Sequence, residues 1–274
     1  MTDFSSTLPL TVTLQLEFAS VIDTGRARSN NEDTVKCDPA LGLAVLADGM
    51  GGYNAGEIAS DMAATVMLEH LSRWIWDCEQ SQSDLQIRAA LDRAAQAANT
   101  TVYEAANSRA EYAGMGTTMV AAMFEARRVW VAHVGDSRAY RLRGGQLEQL
   151  SRDHSLLQEQ LDAGILTPEE AAYSMHRNLV TRAVGVEPKV DLEVHAHDLL
   201  AGDIALLCSD GLSDMLPDAI IAQVMRAHEA LEPMAQALID AANAAGGRDN
   251  IAVILVRAKG GLPRTGRAWW PFRR

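Results

Sequence analysis

From Thr11 to Phe18 the chain alternates, with Val12, Leu14, Leu16 and Phe18 on one side and Thr11, Thr13, Gln15 and Glu17 on the other. A period of two over eight residues predicts a half-buried strand. Leu41 to Ala47 is apolar almost throughout, as expected of a strand covered on both faces. From Gly56 the period lengthens: Ile58, Met62, Val66, Leu71 and Ile75 fall roughly on one stripe, and the Ala-rich run Asp84 to Asn107 predicts a second helix. Strands return at Thr117 to Phe124, Val129 to Val134 and Ala139 to Leu142, read together as a meander, with Arg143-Gly144-Gly145-Gln146 as a tight hairpin turn. Between Asp153 and Arg182, Thr167 can cap a short helix, Pro168 suits its first position and Glu170 completes a capping box. An apolar strand at Ile204 to Cys208, helices near Pro217 to Ala227 and Glu232 to Ala245, and a closing strand at Ile251 to Val256 finish the pattern.

Strands and helices thus come in blocks and not in alternation. Strands, two long helices, strands, two helices and a strand predict an α+β fold of packed antiparallel sheets with helix pairs outside. Composition narrows the function. A net charge of -12 argues against broad nucleic-acid affinity. Cys37, Cys78 and Cys208 form no CxxC pair and are expected to be buried, reduced thiols of a cytoplasmic protein. Met1 to Leu10 has neither the basic nor the apolar region of an export signal, and no apolar run is long enough to span a bilayer. The stretch after Gly260 mixes Arg264, Arg267, Arg273 and Arg274 with Trp269, Trp270 and Phe272, a combination suited to docking on a membrane surface or a protein partner, or to a disordered tail.

Four acidic motifs carry the chemistry: Asn30-Asn31-Glu32-Asp33, Asp48-Gly49-Met50-Gly51-Gly52, Ser209-Asp210-Gly211 and Gly247-Arg248-Asp249-Asn250. Asp48 and Asp210 follow apolar strands, and Asp249 precedes one. Any one Asp-Gly is an ordinary surface turn. Carboxylates delivered by several strand ends to one point repel each other and persist where cations hold them. Oxygen donors of this kind suit magnesium, manganese or calcium and not zinc. One Asp shared by two cations would hold and acidify a water aimed at an electrophile, and phosphorus is the natural one. Arg28, with Arg26 as its competitor, could clamp a phosphate through paired hydrogen bonds.

Six ordered blocks, Arg28-Ser29-Asn30-Asn31-Glu32-Asp33, Ala47-Asp48-Gly49-Met50-Gly51-Gly52, Gly116-Thr117-Thr118, Gly135-Asp136-Ser137-Arg138, Cys208-Ser209-Asp210-Gly211 and Arg248-Asp249-Asn250, make the chain resemble the metal-dependent serine/threonine protein phosphatases of type 2C in their compact bacterial form. The resemblance covers roughly Ala19 to Arg257. It implies an α-β-β-α sandwich in residues 11–259, with an N-terminal extension at 1–10 and a basic aromatic tail at 260–274. It implies hydrolysis of phosphoserine and phosphothreonine on proteins by a metal-bridging hydroxide, reversing a bacterial serine/threonine kinase. Asp48 would bridge two Mn2+ or Mg2+ ions, Asp210 and Asp249 would complete one shell, and the Gly49 carbonyl would bind the other ion. Asp33 would act through metal-bound water, Arg28 would hold the phosphate, and Asp136 with Asp210 would bind a third, weaker metal, which Asn178 could approach. Ser155 to Asn178 would form a flap beside the site. The partners implied are phosphorylated proteins and a cognate kinase, with a monomeric enzyme in the cytoplasm. Gly116-Thr117-Thr118 and Ser137-Arg138 are expected to serve packing. Where many members carry a histidine after the Asp-Gly motif, this chain has Tyr53, which leaves the general acid unassigned; His133, His154 and His176 are expected to be structural or surface residues. Hydrolysis of another phosphoester, and a non-catalytic regulatory module, are the alternatives at this point.

Overall fold

A strand that is apolar on both faces needs cover on both sides, and β3 (Leu43–Met50) shows how this chain provides it. Leu43, Val45 and Ala47 enter one core, while Ala44 and Leu46 enter another, all fully buried. The computed structural model describes residues 14–52, 55–78, 82–167, 170 and 179–260. Within them, β1 (Gln15–Asp23), β2 (Asp33–Asp38) and β3 precede the helices α1 (Ala55–Asp77) and α2 (Asp84–Ser108). Then follow β4 (Gly116–Thr117), β5 (Met119–Glu125), β6 (Arg128–Val134), β7 (Arg138–Arg143), β8 (Gln146–Gln149) and α3 (Leu156–Asp162). The last elements are β9 (Glu193–Asp198), β10 (Ile204–Cys208), α4 (Asp210–Ser213), α5 (Asp218–Arg226), α6 (Leu231–Ala244) and β11 (Ile251–Lys259).

One sheet runs β2-β3-β5-β6-β9 with β4 beside β3, the other β1-β11-β10-β7-β8, and every pairing is antiparallel. Three apolar cores separate four layers. The first lies between α1, α2 and the β3 sheet; the second lies between α5, α6 and the β11 sheet; the third lies between the sheets. β11 repeats the logic of β3: Ile251, Val253 and Leu255 face the helices, and Ala252, Ile254 and Val256 face the opposite sheet. The α-β-β-α sandwich expected from the blocks is the observed architecture.

Several local expectations need correction. The first strand continues past Phe18 and runs over Gln15–Asp23, because its pairing with β11 extends to Asp23 opposite Ile251; residues 11–13 lie outside the described residues. On α1 the fully buried face is Ala59, Ala63, Ala64, Met67 and Leu71, and Ile58, Met62, Val66 and Ile75 only flank it. Small residues let the helix lie close to the sheet, so the larger ones are pushed to the sides. β2, β8, β9, α3 and α4 were not legible as elements. The meander is broken: β5 and β6 belong to one sheet, and β7 and β8 to the other. The chain changes sheets at Gly135-Asp136-Ser137, where Gly135 takes a φ of 101° and a Cβ would lie 2.7 Å from Thr118.

The Gly144-Gly145 hairpin does form, with φ of 55° and 82° between paired Arg143 and Gln146. Thr167 and Glu170 exchange the two hydrogen bonds of a capping box, at 2.8 and 3.3 Å. Cys208 is buried, but Cys37 and Cys78 are only half-buried; all three are free. Residues 1–10, Tyr53, Pro168, His176, Asn178 and 261–274 lie outside the described residues.

Candidate metal centre

The strand directions bring one end of each sheet together. Asp48 lies near the end of β3, Asp33 starts β2 directly opposite it, Asp210 follows β10, and Asp249 precedes β11. Asp136 sits in the turn where the chain passes between the sheets. All of the acidic residues singled out in the sequence therefore meet at one mouth of the layer between the sheets.

Asp48 is held through its backbone. The carbonyl of Asp48 accepts hydrogen bonds from Thr117 Oγ1 and the Thr118 amide, both at 2.8 Å, and its own amide donates to Thr118 Oγ1 at 3.2 Å. Thr118 Oγ1 lies 2.7 Å from Ser137 Oγ. The Gly116-Thr117-Thr118 and Ser137 blocks thus have the packing role expected of them. The next residue of that block, Arg138, forks onto Asp153 at 2.6 to 2.9 Å. Two glycines allow the closest approaches. A Cβ on Gly49 would fall 2.0 Å from the Gly56 carbonyl oxygen, and one on Gly211 would fall 1.9 Å from that of Asn250. The first fixes where α1 leaves the cleft, and the second seats the start of α4 against the residue that follows Asp249.

Two polar links bind the sheets across this mouth. Ser209 Oγ donates to Asp33 Oδ2 at 2.7 Å, and the Glu32 amide donates to Asn250 Oδ1 at 2.8 Å. Asn250 also donates to the carbonyls of Thr24 and Asn30, which fastens the loop carrying Arg28. Arg28 reaches the site and donates to Asp249 Oδ2 at 2.7 Å, remaining half exposed. Arg26 turns to Asp23 instead, at 3.9 Å, so of the two arginines Arg28 is the one paired with a cleft carboxylate. The motifs that contain Ser209 and Asn250 imply no role for either. Their signal was a polar residue directly beside each cleft carboxylate, at the edge of an apolar strand.

The electrostatics identify what the cleft is built to hold. Burial, opposed by the Ser209 hydrogen bond and reinforced by Asp249, pushes the Asp33 carboxyl up to about 7. Burial and then the charges of Asp33, Asp210, Asp136 and Asp249 drive Asp48 well above the carboxylate range. Asp210 rises for the same reasons, with Asp136 and Asp214 its strongest neighbours. Burial and Asp153 push Asp136 up to about 6. Asp48 and Asp210 nevertheless still touch solvent. Asp33 Oδ1 is buried without a hydrogen-bond partner among the described residues. Burial thus raises all four acids, and neighbouring carboxylates raise Asp48 and Asp210 further. Such a set, with an Asp33 oxygen lacking a partner among the described residues, fits hard divalent cations, since an ion there would satisfy the oxygen and offset the burial of charge. A cavity of about 260 Å³ continues from Asp136 and Asp210 past Asp214 to Leu157, Gln158 and Leu161 of α3.

Comparison with known proteins agrees with this geometry. The model of the family described as protein phosphatase 2C matches residues 26–255. The chain is 40% identical over 247 residues to the serine/threonine protein phosphatase PstP of Mycobacterium tuberculosis, covering 89% of this chain and 45% of that protein, so it spans about half of that relative's length. It is 36% identical over 237 residues to the serine/threonine phosphatase stp of Listeria monocytogenes, covering 85% of this chain and 92% of that one. Among solved structures, the catalytic domain of PstP in complex with two manganese ions superposes with a TM-score of 0.79 at 37% identity, covering 90% of this chain and all of that one. No helix among the described residues is long and apolar enough to cross a membrane.

Proposed function

The chain belongs to the protein phosphatase 2C family, and on that premise we propose that it hydrolyses phosphoserine and phosphothreonine on proteins with the help of two divalent cations. The observation that carries the reading is the meeting of Asp33, Asp48, Asp210 and Asp249 at one mouth of the sandwich beside Arg28, with a buried Asp33 oxygen unsatisfied among the described residues. Manganese or magnesium bound there supplies Lewis acidity toward phosphoryl oxygens and lowers the pKa of a water.

The chain's own residues do the rest. Asp48, whose backbone amide and carbonyl are tied to Thr117 and Thr118, would be the carboxylate that holds both ions. Asp210 and Asp249 would hold one of the two ions, and the Gly49 carbonyl would contribute to holding the other. Asp33 keeps one oxygen on Ser209, and its other oxygen would be available to a metal-bound water. Arg28 spends one of its five donors on Asp249 and has the others free to orient a phosphate. Asp136, with Asp210, would hold a third ion more weakly. His133 and His154 are buried and hydrogen-bonded, so neither is placed to protonate a leaving group.

The same reading extends to phosphoprotein substrates made by a cognate serine/threonine kinase, and to a cytoplasmic signalling role. A monomer is supported by both sheets being covered by the chain's own helices. The basic, Trp-bearing tail at 260–274 supports docking on a membrane surface or partner. The test is release of phosphate from a phosphothreonine peptide with Mn2+, comparing wild type with Asp48→Asn and Asp210→Asn. Turnover that needs the metal and disappears in both variants is expected. A folded, manganese-binding wild type that hydrolyses only small phosphoesters, or nothing, would overturn the proposal.

A further inference from the structure

A second cluster of titratable groups lies behind the Gly135-Asp136 turn. His133 and Glu193 are directly opposite on β6 and β9, and His154 stacks on His133 with ring centroids 4.8 Å apart and planes 16° apart. His133 is fully buried and His154 nearly so. Ring nitrogens of both and a Glu193 oxygen lie within 4.8 Å of one another, a grouping that could hold a transition metal.

The hydrogen bonds argue for a different use. The Gly135 amide, which can only donate, reaches His154 Nδ1 at 3.2 Å. That nitrogen must therefore be the lone-pair one, and the ring proton of neutral His154 sits on Nε2. Nε2 faces Glu193 Oε2 at 3.1 Å, a carboxylate oxygen that can only accept. Burial works against the charge of Glu193, but hydrogen bonds from His195 and His154 hold its carboxyl down to about 2. A metal on Nε2 would move the ring proton to Nδ1, against the Gly135 N–H.

His154 is also a junction. Its amide donates to the Gly135 carbonyl at 2.9 Å, and its carbonyl accepts from the Thr181 amide at 2.8 Å. The next residue, Ser155, caps α3 and bridges to Val180, at the root of the segment that borders the cavity beside Asp136. We propose that Glu193 is a positioning residue for Asp136: by fixing the His154 tautomer it holds the Gly135 amide, and with it the turn that presents Asp136 to the cleft. The role given to Asp136 rests on the reading under Proposed function; the link from Glu193 to Gly135 does not.

The experiment uses the full chain and three variants. In His154→Asn the side-chain oxygen falls near the Nδ1 position and can still accept from Gly135. In His154→Gln the side chain reaches toward Glu193 and leaves the Gly135 N–H without an acceptor. Glu193→Ala removes the group that sets the tautomer. Amide exchange at Gly135 should quicken about tenfold in His154→Gln and about threefold in Glu193→Ala, and stay within about twofold of wild type in His154→Asn. The weakest Mn2+ step seen by calorimetry should lose affinity in the same order, with the tighter steps unchanged. Nitrogen NMR should place the wild-type His154 proton on Nε2. Equal losses in His154→Asn and His154→Gln, unchanged exchange in Glu193→Ala, or a proton on Nδ1 would each overturn the relay. If wild type binds only two ions, the metal role of Asp136 falls, while exchange and tautomer still decide the relay.

Discussion

Replacing Ser209 by Ala tests whether the cleft is an electrostatic device or merely a packed corner. Ser209 is fully buried; its Oγ donates to Asp33 Oδ2 at 2.7 Å and accepts from the Ala252 amide at 2.9 Å. The other Asp33 oxygen already lacks a partner among the described residues. A hydrogen bond to a charged acceptor contributes about 1.5–3 kcal/mol, so its loss should raise the Asp33 pKa by about one to two units above its present value of about 7. The sign follows from linkage. Folded Asp33 keeps its proton well above the ordinary carboxylate value of 3.8, so folding takes up a proton in between, and stability falls as pH rises toward 7. The substitution extends that fall to about pH 8–9. At about pH 5.5, where Asp33 is neutral in both proteins, the variant should lose only about 1 kcal/mol. At about pH 8.5 it should lose about 3 kcal/mol. For a domain of this size that is a Tm deficit of about 2–4 °C growing to about 6–12 °C, read by thermal melts in chelator. Manganese, which must displace the Asp33 proton, should bind more weakly to the variant near neutral pH. Equal deficits at the two pH values would refute the reasoning, because a packing defect does not titrate.

Asp48→Asn removes the most strongly perturbed carboxyl group of the cleft without changing its shape. In chelator it should melt no lower than wild type, while Mn2+ at about 100 times its Kd, which stabilises wild type by about 2.7 kcal/mol, should no longer raise its Tm. Gly211→Ala puts a Cβ against the Asn250 carbonyl and must shift α4 relative to β11. A loss of about 1–3 kcal/mol in urea melts is expected, with weakened Mn2+ binding by calorimetry, and a normal Mn2+ isotherm would count against the seating role of that glycine. Arg138→Ala leaves Asp153, whose side chain is 9% exposed, without its cation and with the Gln149 amide as its remaining donor among the described residues. It should cost about 3–5 kcal/mol by urea denaturation. Keeping more than half of that stability would show that Asp153 finds another donor.

Much of this was legible in the chain because apolar patterning reports burial. β3 and β11 are apolar at every inward position on both faces, and their strand character was plain. β2 and β9 were not, since Asp-Thr-Val-Lys-Cys-Asp and Glu-Val-His-Ala-His-Asp are edge strands with polar residues along one side. The carboxylates were identifiable by their Asp-Gly and strand-end settings. What held them was not: Ser209 to Asp33 spans 176 residues, and Glu32 to Asn250 spans 218. No local pattern encodes such a pairing. The same holds for His154 and Glu193, which look like ordinary polar residues until β9 is laid beside β6.

The placement of the site explains why its cost is tolerable. Acids that raise each other's pKa weaken the fold wherever they ionise, yet here they cluster at the rim of the layer between the sheets, beyond the last apolar side chains. The strands that carry them, β3, β10 and β11, are among the most deeply buried, so the repulsion pushes against rods fixed over their whole length. Ser209 and Asn250 then tie one sheet to the other at the mouth itself, where that repulsion acts. The spacing of the acids is therefore set by how the two sheets dock. A cation entering the mouth meets donors already positioned by three cores, and binding need not pay for assembling them.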